Sequence, residues 1–213
     1  FSPNANLLAI ATMNRVHLWS LDQKKITSTF SHDTRSLEFS HGGDRLILSG
    51  RDGVVVIDIL SGDPIWELGG GNHESATSPD GRFLATSDRQ GITVWHTSNW
   101  KRLQFFPGIS GSMTFSPKGT ILATAGRDGV TLWPLQGEAP PVVLEESPRL
   151  RSGGNTIHFS RDGNLILLPR NENPTDSGFS IALWDAESGK EIAIFPDGAE
   201  GGFHTGVISA MDF

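Results

Sequence analysis

The sequence predicts an all-β fold made of five successive copies of one four-stranded antiparallel unit. Three observations predict it. Phe-Ser-Pro-x-Gly, or a worn copy of it, stands at Phe1-Ser2-Pro3, Phe39-Ser40-His41-Gly42, Thr77-Ser78-Pro79-Asp80-Gly81, Phe115-Ser116-Pro117-Lys118-Gly119 and Phe159-Ser160-Arg161-Asp162-Gly163, and three of the four intervals are 38 residues. Seventeen residues after the Ser of the first four copies comes Trp19, Ile57, Trp95 or Trp133, while the fifth copy reaches Trp184 only after 24, an insertion of seven. Finally, no window sustains a period of 3.6, whereas short β-rich runs alternate with turn residues throughout. A fixed period of 20–50 residues means one supersecondary unit stacked on copies of itself.

The second copy shows the four strands in order. Ser36 to Phe39 alternates and runs into the turn Ser40-His41-Gly42-Gly43. Arg45 to Ser49 is a second β-rich run ending at Gly50-Arg51-Asp52-Gly53, where Asp-Gly is a hairpin signal. Val54 to Ile59 follows as a third strand, and Ser61-Gly62-Asp63-Pro64 turns the chain into a fourth, Ile65 to Leu68. The other copies repeat the order, with second strands at Phe83 to Ser87 and Ile121 to Ala125 and third strands at Ile92 to Trp95 and Val130 to Trp133. Fourth strands fall at Arg102 to Phe106 and Val142 to Leu144. A four-stranded sheet cannot bury both faces alone, and stacking such sheets around an axis gives a β-propeller. The repeats fall near 1–33, 34–71, 72–107, 108–152 and 153–202, and 203–213 reads as the first strand of a next or closing blade.

Composition agrees with this reading. At 213 residues the chain has the size of one large all-β domain, and 25 Gly with 12 Pro suits many tight turns. A formal charge of −7 argues against a nucleic-acid partner. The absence of Cys excludes disulfides and thiolate metal sites, and it suits a reducing, cytoplasmic setting. No apolar run approaches the roughly 18 residues of a membrane-spanning helix, so no membrane partner is expected.

The Phe-Ser-Pro-Asp-Gly turns, the second strands Leu84-Ala85-Thr86-Ser87 and Leu122-Ala123-Thr124-Ala125, and third strands closing on Trp together resemble the WD-repeat β-propeller family over the whole chain. The resemblance implies a rigid scaffold and a structural Asp–His–Ser/Thr–Trp hydrogen-bond network. The sequence departs from the family pattern in several places. Only Trp184-Asp185 is a literal Trp-Asp pair, and the family's His before the first strand is matched in spacing only by His204, nine residues ahead of Phe213. The network is therefore expected to be incomplete in most blades.

Periodicity makes Trp19, Ile57, Trp95, Trp133 and Trp184 core residues between blades. Trp66 and Trp100 fall outside that register, and Trp100 near Thr97-Ser98-Asn99 is the better contact candidate. Arg51, Arg89 and Arg127 share one position of the hairpin between second and third strands, and Arg15 and Arg170 lie close to the same loop in the first and fifth copies. They mark a candidate protein-interaction face, since Arg is enriched at interface hot spots. The alternative is a solvated rim in which each Arg neutralises a neighbouring Asp. The insertion of residues 170–178 lengthens the same face. His32, His73 and His204 lack the short spacings of a zinc site, and Gly69-Gly70-Gly71 opens no helix to hold phosphate.

With polar residues obeying the repeat, the sequence favours a non-enzymatic interaction scaffold without catalytic residues, cofactor or metal, presenting one face to a protein or peptide. Further blades or domains of a parent chain are expected. The alternative is a propeller enzyme, of lactone-hydrolase or quinone-dependent dehydrogenase type, or an accessory module of a multidomain enzyme. Val207 to Asp212 could also pair with Leu7 to Thr12 to close a five-bladed ring.

Overall fold

A computed structural model of the chain describes residues 1–70, 74–109, 112–126, 129–145, 147, 157–170 and 180–195, the side chains of 169 and 170 excepted. They belong to two compact units, Phe1–Gly108 and Ile109–Phe213. Among the described residues there is no helix.

Unit one holds three antiparallel sheets, each with its strands in chain order. The first sheet is β1 (Leu7–Ala11), β2 (Arg15–Ser20) and β3 (Lys25–Ser31). β4 (Thr34–Phe39), β5 (Arg45–Gly50), β6 (Gly53–Asp58) and β7 (Pro64–Gly69) form the second, and β8 (Glu74–Thr77), β9 (Phe83–Ser87), β10 (Gly91–His96) and β11 (Arg102–Pro107) the third. Unit two holds the fourth sheet, β12 (Met113–Phe115), β13 (Ile121–Gly126), β14 (Gly129–Pro134) and β15 (Val142–Val143). Its fifth is β16 (His158–Phe159), β17 (Leu165–Arg170), β18 (Ser180–Asp185) and β19 (Glu191–Phe195). The strand the sequence suggests at Val207 to Asp212 lies outside the described residues.

β5 is covered on both faces by neighbouring sheets, so it reads as an unbroken apolar run rather than an alternating one. Leu46, Ile47 and Leu48 of β5 illustrate this: Leu46 and Leu48 pack with Val16 and Leu18 of the first sheet, while Ile47 packs with Leu84 of the third. In unit two, Leu132 and Leu144 meet Ile166, Leu168 and Trp184. Fourth strands are exposed on one face, where Ile26, Ile65, Phe105 and Ile192 reach solvent.

Why Phe-Ser-Pro-x-Gly recurs is visible in the turn between first and second strands. The Oγ of Ser2, Ser40, Ser78, Ser116 and Ser160 accepts a backbone N–H five residues on, from Leu7, Arg45, Phe83, Ile121 and Leu165, at 2.9–3.1 Å. The residue three after each Ser donates its N–H back to the Ser carbonyl and takes a positive φ. Glycine fits that seat at Gly43, Gly81, Gly119 and Gly163, but in the first copy Ala5 occupies it at φ 56°. Successive turns also stack closely, since a Cβ on Gly43 would stand 3.2 Å from Pro3 Cδ, and one on Gly81 would stand 3.1 Å from His41 Cβ.

The hairpin between second and third strands differs from its expected form. Gly50 pairs with Gly53, so the two-residue loop is Arg51-Asp52 and Gly53 already belongs to β6. Its role is close approach: a Cβ there would meet Leu68 O at 2.1 Å. The same holds for Gly91 against Phe106 O. Elsewhere observed strand bounds fall within two residues of those read from the sequence.

Candidate functional site

The residues singled out in the sequence fall into two groups. Arg15 is exposed at the start of β2, and Arg51 and Arg89 are exposed at equivalent hairpin positions of the second and third sheets. Arg51 lies 3.7 Å from Asp33, whose N–H donates to Asp52, so this Arg has a local acid beside it. Arg127, the side chain of Arg170, the insertion, His73 and His204 lie outside the described residues. His32 is buried and bonded to Thr34.

The third-strand residues share a register but not a depth. Ladder irregularities fall immediately before Trp19, Ile57, Trp95 and Trp184, where a bulge re-aims the side chain. Trp184 and Ile57 are buried, whereas Trp19, Trp95 and Trp133 are half-buried. Trp95 and Trp133 each donate Nε1–H to a second-strand hydroxyl, Thr86 at 2.9 Å and Thr124 at 2.8 Å. Trp184 donates instead to the carbonyl of Glu145, on the chain following β15.

A cleft between the second and third sheets stands out because the repeat breaks there. Where Pro3, Pro79 and Pro117 follow the turn Ser, the second sheet has His41 and the fifth Arg161. Where Leu7, Phe83, Ile121 and Leu165 begin the second strand's core, it has Arg45. Where Gly62 and Gly189 turn third strand into fourth, the third sheet has Trp100, as the first sheet has the exposed Lys24 at φ 52°. Trp66 of β7 occupies the position of Ser28 and Gln104. These four positions are spread over some sixty residues of chain, yet the fold brings them together.

Trp100 holds the left-handed seat at φ 55°, and its N–H donates to His96 O as Gly62 and Gly189 donate to their counterparts. A bulky residue there costs about 1–3 kcal/mol and persists only when its surroundings over-determine it. The surroundings are named: Trp100 stacks on Trp66 with centroids 4.9 Å apart and planes at 18°, and Trp66 meets Trp95 edge-on at 5.2 Å. Arg45 lies over Trp100 at 5.9 Å and donates across the sheet boundary to Thr97 O at 3.3 Å.

Below this, a small apolar recess is walled by Ile47, Val56, Leu84 and Trp100. It opens into a polar cleft of about 230 Å³ bordered by Ser40, His41, Asp44, Arg45, Asp80 and Ser98. Asp44 and Arg45 face each other loosely at 3.6 Å, their side chains 64% and 33% exposed. Burial opposes ionisation of Asp80, but hydrogen bonds from Arg82 N, Ser78 Oγ and the Arg82 side chain hold its carboxyl below the usual range. Thr77, at the recess wall, donates both N–H and Oγ–H to Glu38 on β4. Burial pushes the Glu38 carboxyl up, partly offset by those two bonds. Among the described residues no cluster of His, Asp and Glu could hold a metal ion.

In the sequence Trp100 and Trp66 stand out of register, whereas Arg45 and His41 look like an ordinary strand end and turn residue. Aligning the five copies and asking which positions break the pattern would have found all four.

No family model and no curated protein matches the chain. Solved structures do. Hydrazine synthase of Kuenenia stuttgartiensis aligns over 76% of this chain and 48% of its own, at 18% identity and a TM-score of 0.57. The dihydro-heme d1 dehydrogenase NirN in complex with DHE aligns over 93% of this chain and 55% of its own, at 15% identity and a TM-score of 0.59. The chain thus spans about half the length of each. Both neighbours are enzymes, which overturns the expectation that this chain is not one: the step from repeat architecture to absent catalysis does not hold for this fold. At such identities the likeness carries architecture and not chemistry. The fold is all-β, a β-propeller of antiparallel blades.

Proposed function

We propose that this chain is the propeller portion of a multidomain enzyme and that the cleft between its second and third sheets binds a small molecule. The observation that carries the reading is the convergence of His41, Arg45, Trp66 and Trp100, each a departure from the repeat, on one place. Local rules are broken where function or strain requires it, and the strained Trp100 sits at this wall. That the named neighbours are enzymes about twice this length supports the enzyme reading, and NirN favours the dehydrogenase type among the alternatives. The blades are of WD-repeat kind, a reading supported by the Trp-to-Thr hydrogen bonds of Trp95 and Trp133.

The test is to incubate the purified full native chain with a small-molecule cell extract and follow its composition by mass spectrometry. Time-dependent loss of a metabolite, abolished by Arg45→Leu in a protein that still melts cooperatively, is the expected result. A metabolite consumed at the same rate by Arg45→Leu contradicts the site.

A further inference from the structure

The chemistry of the cleft narrows what it can hold, granted the reading of it as the binding site. Its mouth is mixed in charge: Arg45 stands beside Asp44, with Asp80 on the facing turn. Asp80 is already engaged by Arg82 at 2.6 Å and by Ser78, whereas Asp44 accepts Ser40 Oγ–H on Oδ1 at 2.7 Å and turns Oδ2 toward Arg45, so the pair that meets a ligand is Asp44 Oδ2 with Arg45. Their 3.6 Å separation leaves a carboxylate acceptor and a guanidinium donor side by side without a tight bond between them. An anion entering here would meet two carboxylates, and a cation would meet Arg45. A hydroxyl both donates and accepts, so neighbouring hydroxyls on one ligand satisfy Asp44 and Arg45 together with no net charge brought in.

The remaining walls agree. Ser98 and His41 are exposed and bifunctional in the same sense, and Thr97 has already spent its hydroxyl proton on Gly81 O at 2.6 Å. The recess behind them is apolar, with Ile47, Val56 and Leu84 at its floor, and takes a C–H face rather than a second polar group. Trp100 has one face on Trp66 and Arg45 over it, so the ring works as a fixed wall. At about 230 Å³ the cleft is smaller than the ~300–1,000 Å³ of sites for drug-sized ligands.

We propose that the cleft between the second and third sheets takes a small neutral polyhydroxylated ligand, a single sugar or cyclitol ring, whose adjacent hydroxyls bridge Asp44 and Arg45.

The cluster of Trp66, Trp95 and Trp100 supplies the readout, because intrinsic fluorescence senses occupation of the recess. The full native chain is titrated with D-glucose, D-xylose and myo-inositol, and separately with phosphate, citrate and spermidine. The expected result is a saturable response to at least one polyol and none to the ions. Asp44→Asn, which keeps the acceptor for Ser40 Oγ, and Arg45→Leu, which restores the residue of other copies, should each weaken it tenfold or more at an unchanged melting temperature. A saturable response to an ion in place of the polyols overturns the ligand class. If Arg45→Leu removes that response, the site itself survives. Silence toward every probe also overturns the ligand class, and turnover of the repeat-restored variant described at the end of the Discussion then decides the site.

Discussion

Trp184 is the residue whose removal should cost the fold most. Its indole is 0% exposed, inside the cluster joining the fourth and fifth sheets, and its Nε1–H is bonded to Glu145 O at 2.9 Å. A Trp of this kind buries about 150–250 Å², which at ~25 cal/mol/Å² is about 4–6 kcal/mol of transfer free energy. Large aromatic truncations in cores cost about 3–5 kcal/mol, and the orphaned Glu145 carbonyl adds to that. Trp184→Ala should therefore lose about 4–5 kcal/mol. Trp184→Phe keeps most of the area and should lose about 1–2 kcal/mol, chiefly the hydrogen bond. Trp95 is half-buried, with a bond to Thr86 and an edge contact to Trp66, so Trp95→Ala should lose about 2 kcal/mol. Guanidinium denaturation followed by circular dichroism measures all three. A loss below 1.5 kcal/mol for Trp184→Ala, or a larger loss for Trp95→Ala, refutes the assignment of depth.

Other perturbations test other parts. Ala5→Gly relieves a left-handed seat worth about 1–2 kcal/mol, less the added entropy of a glycine, and should stabilise by about 0.5–1 kcal/mol in thermal melts; a destabilised variant contradicts the turn geometry. The folded pKa of Glu38 is raised above 4.5, so its stabilising contribution is complete below pH 4.5 and is lost as pH rises through the folded value. Glu38→Gln accepts the Thr77 N–H on its amide oxygen and donates its amide N–H to Thr77 Oγ, so its melting temperature should exceed the wild type's at pH 7 and converge on it toward pH 4.5. A constant difference across that range contradicts the buried-carboxyl account. Desolvation lowers the His32 pKa below 6.5 against the opposing pull of Asp52 and Asp33, so stability is complete above 6.5 and falls as pH drops toward the folded value. His32→Gln should flatten that fall, as melts at stepped pH would show.

Strand order and bounds were readable because the turn chemistry is local: a Ser five residues ahead of a strand and a glycine seat between them repeat at fixed spacing. The depth of each third-strand ring was not readable, because it depends on what a neighbouring sheet lays over it. Trp184 lies under the Glu145 backbone, whereas Trp95 meets the edge of Trp66. The cleft was legible only in pieces. Arg45 looks like one more charged strand end until sheet stacking carries its guanidinium to Thr97, 52 positions on. The arginine pattern was conspicuous in sequence because it obeys the repeat. The cleft residues were inconspicuous because they break it.

The central claim is that His41, Arg45 and Trp100 were fitted to a ligand at the expense of the repeat. The direct measurement gives the second and third sheets back the residues of the other copies, His41→Pro, Arg45→Leu and Trp100→Gly together in the full native chain. Melting temperature and consumption of the extract metabolite are then read side by side. The account predicts a fold that still melts cooperatively, because the relieved strain at the Trp100 seat offsets part of the lost stack on Trp66 and bond to Thr97, with consumption lost at least a hundredfold. A repeat-restored protein that melts as the wild type does and still consumes the metabolite at the wild-type rate would contradict it.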